Sequence, residues 1–330
     1  MSSLDLGTQS PGREQQVVTY RAMATRITIT IPAGTGLDGT RAHLESAISV
    51  AKQVFHTVDE TCTRFDESSP LMEANRSPKA WHKVPDSLFK AVEEAKRAYD
   101  VTGGRFDPRI LSALVGLGYD KTLPFGHNDV SLIGVVNRTP PTTQGAWRPR
   151  LRYGTREVMI GERPIDLGGI GKGLAVRWSS EILARATRDF LVDAGGDCYC
   201  AGFARDGEPW RVGVEDPSEK GEPICVLSVH DQAVTTSSVR LRRWVVDGTA
   251  VHHLIDPATM TPGGRGLVAV TVVGQDPARS EAWSKALFIS GNAGIAPLAK
   301  RHAIAALWID DRGTLTTNAA IERFVTWRRR

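Results

Sequence analysis

The chain has 330 residues, 41% hydrophobic and 24% charged, an ordinary globular composition that suffices for one large domain or two small ones. Its formal net charge of +4 is modest and sits partly in the terminal Arg328-Arg-Arg330, so nucleic acid is a poor first choice of partner. No apolar run approaches the roughly 20 residues of a membrane helix, the opening Met1-Ser-Ser-Leu-Asp-Leu-Gly7 lacks a signal-peptide pattern, and four cysteines do not make a disulfide framework; the expectation is a cytoplasmic protein with reduced thiols, not embedded in a membrane.

Residues 1–16 are polar and rich in Gly, Pro and Ser, and are expected to form a disordered tail. From Val17 to Ile31 apolar residues alternate with threonines, the pattern of strands, with a turn or bulge at Ala22-Met-Ala-Thr25. Leu44, Ile48, Ala51, Val54 and Val58 recur at helical spacing and predict a helix over Leu37 to Thr61. Thr63 to Asn75 reads as loop. A second helix is expected after Val84, capped by Asp86 or Ser87 and stopped at Thr102-Gly-Gly104. Phe106-Asp-Pro108 follows directly, which holds a carboxylate on a defined backbone. Leu111 to Tyr119 is expected to be a short helix, and Lys121 to Arg150 loop with short strands.

The organising stretch is Pro164-Ile-Asp-Leu-Gly-Gly-Ile-Gly-Lys-Gly-Leu174. The apolar run Glu157 to Ile160 before it reads as a strand, and Ala175 to Arg188 after it as a helix with Val176, Ser179, Ser180, Leu183 and Ala186 on one stripe. A glycine-rich loop entering a helix start brings backbone N–H groups and partial positive charge to one point, which suits a phosphate. Lys172 adds a full charge and Asp166 a carboxylate. Neither common phosphate motif fits. Gly173 follows the lysine where a Walker loop needs Ser or Thr, and Leu174 stands where the dinucleotide fingerprint needs its third glycine.

Phe190 to Val192 is expected to be a buried strand leading into Asp193-Ala-Gly-Gly-Asp197, a second candidate polar site. Cys198 and Cys200 have the wrong spacing for the usual zinc pairs. Further strands are expected at Trp210 to Val214, Ile224 to Val229, Ala233 to Thr236, Val251 to Pro257, Leu267 to Val273 and Ala305 to Ile309. Helices are expected at Ser280 to Ser290 and Ala293 to His302. Separated strands and helices without strict alternation imply an α+β fold.

Six motifs in register resemble one family. Asp166-Leu-Gly-Gly-Ile-Gly-Lys-Gly173, Asp193-Ala-Gly-Gly-Asp197 and His253-Leu-Ile-Asp-Pro257 lie between Met23-Ala-Thr25 and Gly104-Arg-Phe-Asp107 upstream and Ser280-Glu-Ala-Trp-Ser-Lys-Ala-Leu287 downstream. From Val17 to the C-terminus the chain resembles the FAD:protein FMN transferase, or ApbE-like, family. The resemblance implies a single layered α+β domain over residues 17–330, with mixed sheets flanked by helices. It also implies a magnesium-dependent enzyme that splits the pyrophosphate of FAD, releases AMP, and joins FMN to a Thr or Ser hydroxyl of an acceptor protein. Carried over by position, Met23, Phe65, Arg105, Phe106, Asp107, Asp166, Gly168, Lys172 and His253 would line the FAD site. His253, Asp256 and Lys172 would act at the reacting phosphate. The metal would lie at the Gly169 carbonyl and on the downstream helix, at Glu281, Ser284 and Lys285.

The chain departs from the family pattern at that helix. Glu281 stands where an Asp is expected and Lys285 where a Thr is expected; at i and i+4 the two share a face and can pair with each other. An ammonium in a cation site repels Mg²⁺, so metal binding is expected to be weakened, moved or lost. Ala24 replaces a glycine after Met23, Ser238 replaces a glycine after Ser237, Phe65 replaces a Tyr, and Arg177 replaces an acidic residue. Two other activities remain open on these residues: flavin binding without transfer, and hydrolysis of FAD to FMN and AMP.

Overall fold

The alternating residues near the N-terminus fold as a hairpin. Strands Gln16–Ala22 and Thr25–Ile31 pair with Ala22 opposite Thr25. The two residues between them, Met23 and Ala24, have φ of 51° and 56°. Both central residues lie in the left-handed region that a tight turn of this hand requires, and an alanine is strained there. The computed structural model describes residues 15–34, 41–121, 123, 131–132, 145–217 and 222–329. The expected N-terminal tail lies outside these except for residues 15 and 16, and Gln16 already pairs with Ile31. Most of the expected loop from Lys121 to Arg150 also lies outside them.

This hairpin opens an eight-stranded sheet. It continues through Phe190–Ala194, Asp197–Ala201, Gln232–Ser238, Leu267–Gly274, Ala305–Asp310 and Leu315–Thr317, in that spatial order. Every neighbouring pair in it is antiparallel. A parallel pairing occurs in a small separate sheet, between Ser131–Leu132 and Arg243–Val246.

Period-two alternation sends the two sides of the large sheet into different layers. One side meets helices α1 (Arg41–Cys62), α3 (Asp86–Val101), α5 (Gly171–Leu183) and α6 (Pro277–Ile289). Ile27, Ile29, Val192 and Ala194 pack there against Ala51, Phe55, Val58, Leu174 and Val176, all buried. Val270 and Val272 meet Leu287 and Phe288 of α6. The other side lies on a three-stranded sheet of Trp210–Glu215, Pro223–Val229 and Val325–Arg328. Cys198, Cys200, Val234, Ala269 and Val273 are buried against Val214, Cys225 and Leu227. The spacing of Cys198 and Cys200 is therefore a strand facing an apolar layer. Four short or distal helices complete the described set: α2 (Pro70–Arg76), α4 (Leu111–Gly116), α7 (Gly291–Arg301) and α8 (Ala319–Glu322).

Several local expectations are corrected. The supposed loop from Thr63 to Asn75 contains α2, whose start carries a legible signal: the Ser69 hydroxyl accepts the Met72 N–H at 3.1 Å and Pro70 occupies the first turn. Asp86 lies inside α3, with Pro85 in the cap position. The expected strand from Val251 to Pro257 is broken into Thr249–His252 and Ile255–Asp256, which belong to different sheets. The basic C-terminus is structured as far as Arg329: Arg328 pairs with Glu322 and Arg329 with Asp216.

The decisive correction concerns α5. It begins at Gly171, within the glycine-rich loop, because Gly171 N–H and Leu174 N–H already bond to the carbonyls of Leu167 and Ile170. Lys172 is thus on the first turn of the helix. Helices α5 and α6 touch there through Gly173, where an added Cβ would lie 2.6 Å from Ala278 Cα and 2.7 Å from the Pro277 carbonyl oxygen. Only a glycine admits that approach. Gly173→Ala is expected to destabilise the protein by about 1–3 kcal/mol, measured by urea unfolding; an unchanged midpoint would show that the two helices can separate freely.

Candidate active site

The glycine-rich loop is held from one end by Asp166. Its N–H donates to the Pro108 carbonyl at 2.7 Å, and its carboxylate accepts the Gly168 N–H at 2.6 Å. The other carboxylate oxygen pairs with Arg64 Nε at 2.6 Å, and both side chains are buried. The Arg64 guanidinium lies 4.2 Å from the ring centre of Phe65 and 4.4 Å from that of Tyr119. Contact with aromatic rings suits Arg, whose guanidinium is weakly hydrated. Phe65 itself is 42% exposed, so its other face is open. Asp107 is similarly committed: Arg109 Nε and Nη2 donate to its two oxygens at 3.0 and 2.6 Å.

The other end of the loop is held from α6. Glu281 is fully buried. One of its oxygens accepts the Gly173 N–H at 2.7 Å; the other receives Lys285 Nζ at 2.9 Å and Lys172 Nζ at 3.3 Å. Lys172 also pairs with Asp197, whose other oxygen accepts the Thr236 N–H at 3.1 Å. Burial acts to raise the Glu281 carboxyl, but Lys172, Lys285 and the Gly173 N–H outweigh it and hold the group down at about 2. Burial lowers Lys172 to about 8, with Lys285 and Arg242 acting in the same direction against Glu281. Burial raises the Asp193 carboxyl, opposed by its bond from the Gly196 N–H and by Lys172. The Asp193 to Asp197 turn thus comes to Lys172 from the sheet.

His253 lies in the gap between the two broken strands. Its N–H and its Nδ1 both face the Arg242 carbonyl, at 3.4 and 3.3 Å. A carbonyl can only accept, so Nδ1 carries the proton and Nε2 is left with its lone pair. Burial, then the charges of Arg242 and Lys285, push His253 well below the ordinary imidazole range, so it is neutral near pH 7. The charge of Lys285 is felt by both His253 and Lys172.

Most of the residues expected at the site converge on the loop. Met23 reaches it from the hairpin turn, its Cε 3.3 Å from where a Cβ on Gly171 would be, and Phe106 and the Lys285 stem stand 3.1 and 3.4 Å from the same point on Gly169. Others do not converge. Arg105 is exposed beside the Gly103-Gly104 turn. Asp256 accepts the Ala258 N–H at 2.9 Å and shapes its own turn. Ser284 faces the sheet, where its hydroxyl lies 2.7 Å from that of Ser237 and bonds the Glu281 carbonyl at 2.9 Å, so it does not point to the loop. Arg64, Asp197 and Arg242 were missing from the expected set. Asp197 was visible as a polar turn residue, but nothing in the sequence paired it with Lys172.

The residues about Gly169 do not fit a magnesium ion. Hard cations need several free oxygen ligands. Here the acceptor positions of Glu281 are taken by two ammonium groups and a backbone N–H. Among the described residues no group of three or more His, Cys, Asp or Glu side chains is arranged to hold a metal.

A model of the ApbE family matches residues 23–308. The chain belongs to the ApbE family. The FAD:protein FMN transferase of Salmonella typhimurium is 26% identical over 318 residues, covering 94% of this chain and 87% of that protein. The protein of the same name from Vibrio cholerae is 29% identical over 262 residues, covering 78% and 77%. The crystal structure of the ApbE protein of Thermotoga maritima matches with a TM-score of 0.77 at 23% identity, over 94% of this chain and 99% of that one. The flavin transferase ApbE of Vibrio cholerae gives 0.74 at 22%, with the same coverage. The ApbE architecture, α+β with antiparallel sheets and a helix layer, is therefore the fold of this chain.

Two predictions follow from the site's buried charges. Arg64→Ala leaves Asp166 buried without its partner and is expected to cost about 3–5 kcal/mol, read by urea unfolding; a loss below about 1 kcal/mol would mean that Asp166 is held by the Gly168 N–H alone. The second concerns pH. Burial pushes His252 down to about 4 and His253 well below 6.5. The unfolded chain therefore binds protons that the folded chain refuses, and stability is lost as pH falls from about 6.5 towards 4. Allowing for partial exposure, a fall of about 2 kcal/mol is expected between about pH 7 and pH 5. His252→Asn should flatten part of that slope; an identical slope in the variant would remove His252 from the account.

Proposed function

We propose that this chain is an FAD:protein FMN transferase. The observation that carries the reading is a neutral His253 whose Nδ1 is committed to the Arg242 carbonyl, together with a loop that presents Lys172 and the N-terminus of α5. In this reading the FAD pyrophosphate lies against the glycine-rich loop, with Met23, Phe106 and the open face of Phe65 toward the flavin side. The hydroxyl oxygen of an acceptor Thr or Ser bonds to the flavin-side phosphorus. The phosphorus–oxygen bond to AMP breaks, its electron pair leaves on the AMP phosphate, and the hydroxyl proton passes to His253. Lys172 and the helix N-terminus stabilise the charge on the leaving and transferring oxygens. Asp256 acts indirectly, by shaping the turn after His253.

Residues 17–330 act as one unit in this proposal, and the partners are FAD and an acceptor protein that remains to be identified. The family's magnesium would supply further charge neutralisation, but the donors about Gly169 do not suit it, and no step here uses it. Among the described residues no helix is long and apolar enough to cross a membrane. Four buried free cysteines support a reducing, cytoplasmic setting.

The test is incubation of the protein with FAD and a Thr-containing acceptor peptide, following AMP and the peptide mass. His253→Ala is expected to lower AMP release by about 10²–10⁴-fold while FAD binding persists. AMP and free FMN without peptide modification would make water the acceptor. Bound, intact FAD in the wild type would make the chain a flavin carrier.

A further inference from the structure

The donors around Glu281 raise a question that the transfer reading leaves open: what neutralises the pyrophosphate where a divalent cation does not fit. We propose that Lys285 is the resident cation of this site, and that the chain binds and splits FAD without a divalent metal. This inference rests on the transferase reading of the same site.

Lys285 Nζ is 2.9 Å from a Glu281 oxygen, and its stem lies against Gly169, within 3.4 Å of where a Cβ there would be. Its side chain is 14% exposed and that of Lys172 16%, while Glu281 is fully buried, so both ammonium groups lie outward of the carboxylate. An ammonium has three N–H donors in fixed number. One is taken by Glu281, which leaves two for phosphate oxygens. A carboxylate under a lysine also keeps that lysine charged and aimed, as a salt bridge on a rigid helix turn does.

The same carboxylate is closed to a metal. A divalent ion entering here would have to displace Lys285, then sit beside Lys172, which Glu281 and Asp197 hold in place. Two ammonium groups within a few ångströms repel a cation by several kcal/mol even at an effective dielectric of about 20. The transfer step balances without the ion: the hydroxyl proton goes to His253, the electron pair of the broken bond stays on the AMP phosphate, and no charge is created that needs a second co-reactant. Lys285 and Lys172 face the phosphate together.

The experiment measures FAD affinity, by quenching of flavin fluorescence, and AMP release with acceptor peptide, each in EDTA and in millimolar magnesium chloride. For the wild type both are expected to be the same in the two conditions within about twofold. Lys285→Thr removes the ammonium and offers a hydroxyl oxygen; its FAD affinity in EDTA is expected to fall by about tenfold or more and to recover when magnesium is added. The inference is overturned if wild-type FAD binding or AMP release depends on saturable magnesium, or if Lys285→Thr binds FAD in EDTA as the wild type does. The first of these leaves the transferase reading standing with a metal. Absence of FAD binding in every condition overturns both readings together. The wild-type comparison stands whether or not the variant folds.

Discussion

The site depends on one buried carboxylate. Glu281 on α6 accepts the Gly173 N–H of α5 and two ammonium groups, and so ties the end of the glycine-rich loop to a helix on the same sheet. Burying an ion costs several kcal/mol unless its remaining lone pairs are satisfied. Here they are, which is why the carboxylate stays ionised and why the helices can approach closely. The close approach in turn demands glycine at 173, because Pro277 and Ala278 occupy the space a side chain would need. Electrostatics and packing at this junction are a single constraint.

A second tie acts at the opposite end of the loop. Asp166 is fixed by the buried Arg64, which itself packs against two rings. The backbone between the two ties, 166–173, has little freedom left, and its N–H groups and Lys172 are presented as a rigid surface. Preorganised donors are worth more than flexible ones, since no reorganisation is needed when charge moves during reaction. Both ties neutralise their own charges, so the loop can carry a helix N-terminus and a lysine into a partly dry site without a large unpaired field.

His253 shows how a broken strand serves chemistry. Its apolar surroundings favoured a continuous strand from Val251 to Pro257, and periodicity alone could not show the break. The break puts His253 opposite the Arg242 carbonyl, which selects the tautomer. Burial, and then the charges of Arg242 and Lys285, keep the ring neutral. The first of these residues carried no motif and was not singled out; the second was noticed only as a departure from a family pattern.

The sequence by itself determined the local features of this protein. The α+β class, the glycine-rich loop, Lys172 and the i, i+4 pairing of Glu281 with Lys285 were legible, because each depends on residues within one or two turns of each other. The start of α2 was legible too, in Ser69 and Pro70, although the polar composition of that stretch pointed to loop. Only the tertiary structure decided which charges meet: Arg64 with Asp166, Lys172 with both Asp197 and Glu281, and Ser284 with Ser237 in place of the loop. The physical reason is that these partners are set by how the sheet orders its strands and how closely α5 and α6 pack. Neither leaves a period or a spacing in the chain.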